Sequence, residues 1–252
     1  MVNTSHFPSS APKDKCLLSL QAVKEGTVLL LTMHAGENRF NTAFCNAFHE
    51  ALDEVDRIAR SSYKAGPHPL ALVTVGEGKF YSNGLDVLEV PPIINQFLPD
   101  LYHPILRRLL PLPIPTIAAI NGHAFAGGFL LAAAHDYRVM RSDRGFLCMN
   151  EVDLPGPLSP GMAAVLRAKF PNPAALRDSL LHARRFNATE SLELGLVDAI
   201  APESDILGRA LDLASSYAPK ARAGRVYGML KEEMWRDAAD RLNTGGVGYA
   251  KL

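Results

Sequence analysis

Cysteine, net charge and long apolar runs are all scarce in this 252-residue chain. Cys16, Cys45 and Cys148 are odd in number and form no C-x-x-C pair, so neither a disulfide frame nor a zinc site is expected. A reducing compartment follows. Lysine plus arginine and aspartate plus glutamate each number 26, which leaves no electrostatic case for nucleic acid or an anionic membrane as partner. No apolar run reaches the roughly 18 residues of a membrane span. Residues 1–15 lack the basic-then-apolar order of a secretory signal and are expected to be a disordered lead-in.

Common catalytic templates are missing too. His49-Glu50 runs into Ala51-Leu52-Asp53, which is not H-E-x-x-H. Gly156 to Gly161 has the wrong spacing for G-x-S-x-G. Gly76 and Gly78 lack the third glycine of a dinucleotide fingerprint. There is no internal repeat, no low-complexity segment and no composition break that marks a linker. Length alone allows one large α/β domain or two small ones.

What is present is a hydrophobic content of 48% patterned as alternating strands and helices. Residues 17–23 and 27–33 read as a hairpin around Lys24-Glu25-Gly26. Asn41 caps a helix whose apolar face is Phe44, Phe48, Leu52, Val55 and Ile58, running to about Arg60. Strands are expected at 70–75, 116–120, 136–140, 145–149 and 197–200. A helix over 93–110 is expected to be broken by Pro99 and Pro104. After residue 150 helices dominate: 159–170, 173–183, 188–194, and two closing helices over 204–217 and 221–241.

Two glycine-bearing stretches each follow an apolar strand. One is Phe80-Tyr81-Ser82-Asn83-Gly84-Leu85-Asp86; the other is Ile120-Asn121-Gly122-His123-Ala124-Phe125-Ala126-Gly127-Gly128. Glycine lets backbone come close to a ligand and aim N–H groups at it. Two such turns side by side would aim two donors at one oxygen, forming an oxyanion hole. Glu151, about two dozen residues further on, is the acid that could work beside them.

These stretches resemble the F-x-x-G-x-D loop and the N-G-x-x-x-G-G…D-Y-R signature, completed by Asp136-Tyr137-Arg138, of the crotonase (enoyl-CoA hydratase/isomerase) superfamily. The resemblance covers roughly residues 17–240. It implies an α/β fold with a ββα spiral core over 16–200, C-terminal helices over 201–244, and assembly as homotrimers or hexamers. It also implies an acyl-CoA substrate, coenzyme A being part of that substrate, with no metal or other cofactor. By position, the two oxyanion donors fall on the N–H groups of Leu85 and Gly127. Ser82, Asn83, Gly84, Leu85, Asp86 and Gly127 are then the substrate-contact candidates. Arg39 and Lys79 could meet the coenzyme A phosphates, although ordinary solvated charge is the plainer account of both.

The hydratases of that family use two glutamates, and the first of those positions is Leu130 here. One carboxylate, at Glu151, suits moving a proton from C2 to C4 better than delivering water. The sequence is most similar to the Δ3-Δ2-enoyl-CoA isomerases, which implies a role in fatty-acid β-oxidation. A hydratase, a thioesterase and a non-catalytic acyl-CoA-binding relative are the alternatives. Met149, Leu154 and the acyl pocket are expected to raise the pKa of Glu151. Asp153 is expected to make a structural hydrogen bond, Asp86 to act as a helix N-cap, Asp136 to fix the turn into its strand, and His123 to be structural. Ala126 stands where the family more often has glycine and allows less backbone freedom. Residues 245–252 are expected to form a flexible tail whose Ala250-Lys251-Leu252 is a near match to S-K-L, read by the peroxisomal import receptor.

Overall fold

The computed structural model describes residues 4–64, 66, 68–154, 156–170 and 172–243. Strands β1 (Thr4–Phe7), β2 (Leu18–Val23) and β3 (Val28–Met33) form an antiparallel edge, followed by helix α1 (Thr42–Lys64). The chain continues as β4 (Ala71–Gly76), β5 (Phe80–Ser82), α2 (Ile94–Phe97), a π-helical stretch (Leu98–Tyr102) and α3 (His103–Leu109). Next come β6 (Thr116–Ile120), β7 (His123–Phe125), α4 (Gly127–Ala134), β8 (Tyr137–Arg141), β9 (Leu147–Cys148) and α5 (Pro160–Lys169). The chain closes with α6 (Pro173–His182), α7 (Ala188–Glu193), β10 (Ala199–Ala201), α8 (Ile206–Tyr217), α9 (Arg225–Met234) and α10 (Arg236–Asn243).

A large sheet runs in the order β1-β2-β3-β4-β6-β8-β10, parallel from β3 onward, and a small parallel sheet runs β5-β7-β9. Three successive units lay one strand in each sheet and then a helix: β4-β5 with α2–α3, β6-β7-α4, and β8-β9-α5. This is the ββα spiral expected. Glycine lets the turns of the spiral touch. A Cβ on Gly122 would stand 2.7 Å from the Lys79 carbonyl carbon, and one on Gly128 would stand 2.7 Å from that of Ser82. The close approach at these two glycines is therefore to protein backbone, not to a ligand. Among the described residues no helix is long and apolar enough to cross a membrane.

Three expectations change. The lead-in is not wholly disordered: Thr4–Phe7 pair antiparallel with β2, and the Leu17 amide donates to the Phe7 carbonyl. Strand β1 adds to an existing sheet edge, so its order depends on a partner distant in sequence. Pro99 and Pro104 divide the 93–110 helix as expected: each lies at the start of a new stretch, the first opening the π-helical turn and the second opening α3. The helix expected over 221–241 divides at Gly224 and Trp235 into a 3-10 segment, α9 and α10. Residues 80–82 and 123–125, read as loop, are the strands of the small sheet. The tail at 245–252 lies outside the described residues.

The helix expected from Asn41 forms, with the Asn41 Oδ1 accepting the Phe44 amide, and runs four residues past Arg60. Asp136 accepts the amide and hydroxyl of Thr116, fixing the turn into β8 as expected, and also binds the Lys231 Nζ at 2.8 Å. That buried pair ties α9 to the foot of the large sheet.

Candidate active site

Strands β5, β7 and β9 are adjacent, parallel and short, so they end together at one edge. Leu85 follows the end of β5 by three residues, Gly127 follows β7 by two, and Glu151 follows β9 by three. The topology thus delivers all three to the same rim. The first two segments touch: a Cβ on Gly84 would stand 3.1 Å from the Gly127 nitrogen, and one on Gly127 would stand 3.4 Å from the Leu85 Cδ2. The third is bound to the second, since the Ala126 amide donates to the Cys148 carbonyl at 2.8 Å.

Each donor segment is held by backbone. The Phe40 amide donates to the Gly84 carbonyl at 2.8 Å and the Asp86 amide donates to the Phe40 carbonyl at 2.9 Å, bracketing Leu85. The Leu85 amide itself donates to no acceptor among the described residues, and neither does that of Gly127. Gly127 opens α4, where the first amides have no helical partner. Before it, Ala126 takes φ 49° and ψ −120°, the corner of a primed turn that glycine ordinarily fills.

Glu151 lies in a tight turn closed by the Leu154 and Gly156 amides on its carbonyl. Its Oε2 is buried without a hydrogen-bond partner among the described residues. Burial pushes its carboxyl up to about 7, offset in part by its own amide. The rise was expected, but Leu154, offered as a cause, is 54% exposed. Met149 is buried, and the phenol of Tyr102 is near enough to feel the Glu151 charge.

The other candidates serve the loops. The Ser82 hydroxyl donates to the Asn38 carbonyl, and the Asn83 side chain donates to Glu37. Asp86 accepts the Leu88 and Glu89 amides, which hold its carboxyl below the usual range; it caps a turn rather than a helix. Asp153 is exposed, and its carboxylate makes no hydrogen bond among the described residues, contrary to expectation. His123 packs between Phe80, Phe125 and Phe146, with ring centroids at 5.4, 5.1 and 5.7 Å, on the small sheet. Arg39 pairs with Glu37 and reaches the Leu85 carbonyl, while Lys79 lies over the Phe80 ring. Leu130 is fully buried in the core, so the first hydratase position holds no acid.

Sequence reasoning missed Tyr102 and Asn38. The Tyr102 hydroxyl donates to the Gly127 carbonyl at 2.6 Å, and the Asn38 amide group donates to the Tyr81 carbonyl at 3.1 Å. No local pattern marks either, because both partners are distant in sequence. A cavity of about 730 Å³ lies elsewhere, among Tyr63, Leu70, Pro113, Ile114 and Met229, and none of the site residues lines it. Among the described residues no group of three His, Cys, Asp or Glu side chains stands close enough to hold a metal ion.

Comparison with known proteins follows the same lines. A family profile described as enoyl-CoA hydratase/isomerase matches residues 24–248. The peroxisomal enoyl-CoA delta isomerase 1 of Arabidopsis thaliana is 33% identical over 205 residues, covering 80% of this chain and 83% of that protein. The peroxisomal enoyl-CoA delta isomerase 2 of the same plant is 34% identical over 224 residues, covering 84% and 90%. In fold, the chain is similar to an apo enoyl-CoA isomerase from Mycobacterium tuberculosis, with a TM-score of 0.78 at 23% identity over 90% of this chain and 95% of that one.

Proposed function

The chain belongs to the enoyl-CoA hydratase/isomerase family, and from that premise we propose that it is a Δ3-Δ2-enoyl-CoA isomerase acting in fatty-acid β-oxidation. The observation that carries the reading is the buried Glu151 carboxyl, whose Oε2 has no hydrogen-bond partner among the described residues, on the rim that also presents two backbone amides with no acceptor among those residues.

In this account the thioester oxygen of a 3-enoyl-CoA accepts from the Leu85 and Gly127 amides. The Glu151 carboxylate takes a proton from C2, and the electron pair spreads through the C3–C4 double bond and onto that oxygen. Each fixed donor contributes about 3–4 kcal/mol as the oxygen becomes negative. The carboxylic acid then returns its proton at C4, leaving the double bond at C2–C3. A carboxyl near 7 is matched to both halves of the transfer at neutral pH. The chemistry is proton transfer between carbons, so it requires no metal or redox group. Leu85 contributes only its amide, which is why an apolar side chain serves there.

The single acid argues for isomerisation over hydration, because buried Leu130 cannot hold or activate water. Incubation with a 3-enoyl-CoA and separately with a 2-enoyl-CoA tests this. The first should be converted to the 2-trans isomer and the second left unhydrated; the reverse result would make the protein a hydratase. We further propose a homotrimer or hexamer, supported by the exposed apolar stripe Val226, Met229, Leu230 and Met234 on α9, and checked by light scattering. Peroxisomal import through Ala250-Lys251-Leu252 is supported by the names of the two plant relatives. Loss of import on deleting those three residues is its test.

A further inference from the structure

Tyr102 is fully buried, and its hydroxyl donates to the Gly127 carbonyl at 2.6 Å. Its ring lies against the Gly127 α-carbon, since a Cβ there would stand 3.3 Å from the Tyr102 Cζ. The ring also meets Phe40 edge-on, with centroids 4.8 Å apart. Phe40 is the residue whose amide and carbonyl bracket Leu85. One side chain therefore braces the residues that carry both amides: Gly127 through its carbonyl and α-carbon, and Leu85 through the packed Phe40.

The brace has work to do. Gly127 has no side chain to fix its orientation, it follows a residue in a strained conformation, and it opens a helix whose first turn tends to fray. Tyr102 is in turn held by its element. It ends the π-helical stretch, and the Leu101 carbonyl beside it is engaged by the His49 Nε2 at 2.9 Å. Single-turn π segments frequently mark functional positions, because they turn a side chain to a direction that a regular helix would not give.

We propose that Tyr102 is a positioning residue that aims the Gly127 amide at the substrate oxygen. The inference rests on the assignment of Leu85 and Gly127 as the oxyanion donors. It does not require Tyr102 to touch substrate.

Tyr102→Phe keeps the ring and the Phe40 contact and removes only the hydroxyl. With a 3-enoyl-CoA, kcat should fall roughly tenfold, less than the 10²–10³ lost with a whole donor, while KM stays within about twofold. A second readout is the ultraviolet enolate band of a bound 3-oxoacyl-CoA, which reports oxyanion stabilisation without turnover. The bound enolate-to-keto ratio should fall roughly tenfold in the variant. A fluorotyrosine at 102, a stronger donor of nearly the same shape, should hold kcat at or above the native value and serves if the phenylalanine variant does not fold. Unchanged kcat and unchanged enolate ratio in Tyr102→Phe would overturn the inference, as would a raised KM with native kcat. If the native protein fails to isomerise a 3-enoyl-CoA, the proposed function falls, and the enolate ratio still decides the role of Tyr102.

Discussion

The α-carbon of Gly84 lies so close to the Gly127 amide that an added methyl would stand 3.1 Å from that nitrogen and 2.9 Å from the Ala126 Cβ. Gly84 also has φ +78°, where L side chains are strained. Gly84→Ala should therefore push the two amides apart. We expect a loss of about 1–3 kcal/mol in urea unfolding and, since a misplacement near 1 Å can cost 10²-fold, a fall in kcat of roughly that size.

Ala126 and Gly224 share one backbone conformation, φ 49°, ψ −120° and φ 53°, ψ −121°, yet only one is glycine. Ala126→Gly should relieve strain of about 1–3 kcal/mol, less the roughly 0.4–1 kcal/mol that glycine adds to unfolded-chain freedom. A net gain of about 1 kcal/mol with kcat within about twofold is the expected result. A variant less stable than the native protein would show that the strain is absent.

This pair also marks the limit of what could be read from sequence. The hairpin, the Asn41 cap and the alternation of the spiral were legible because short-range pattern and capping chemistry set them. So were both glycine loops and Glu151, as motifs. The three-residue strands β5 and β7 were not, because their order comes from pairing between turns of the spiral rather than from their own periodicity. The Tyr102–Gly127 bond joins residues 25 apart through a π-helical turn that no propensity foretells. Leu154, expected to help bury Glu151, is exposed for a related reason: a turn can carry an apolar side chain outward, and only the fold says which way.

Burial that raises Glu151 from 4.5 to about 7 has a sign for stability. Between those values the folded state holds more protons than the unfolded one, so the group costs stability as pH rises through that window and up to the folded pKa. Glu151→Gln should raise stability by roughly 1–3 kcal/mol at pH 8 and change it little below pH 4. Chemical denaturation at the two pH values checks this. A variant less stable at pH 8 would mean that the carboxylate is satisfied after all.

Lys231 and Asp136 form a pair whose side chains are 5% and 10% exposed. Among the described residues Lys231→Met would leave the Asp136 carboxylate with only its Thr116 donors, and breaking a buried pair costs about 3–5 kcal/mol. The midpoint of thermal unfolding should fall accordingly. A smaller change, under about 1 kcal/mol, would show that water reaches the carboxylate.

The central claim is that one buried carboxylate ferries a proton along a thioester held by two main-chain amides. The most direct measurement compares native protein and Glu151→Gln for 3-enoyl-CoA turnover and for acyl-CoA binding on the same preparations. Turnover should fall by roughly 10²–10⁴ with affinity within a few-fold of native. A glutamine variant that still isomerises at more than about a tenth of the native rate would contradict the account.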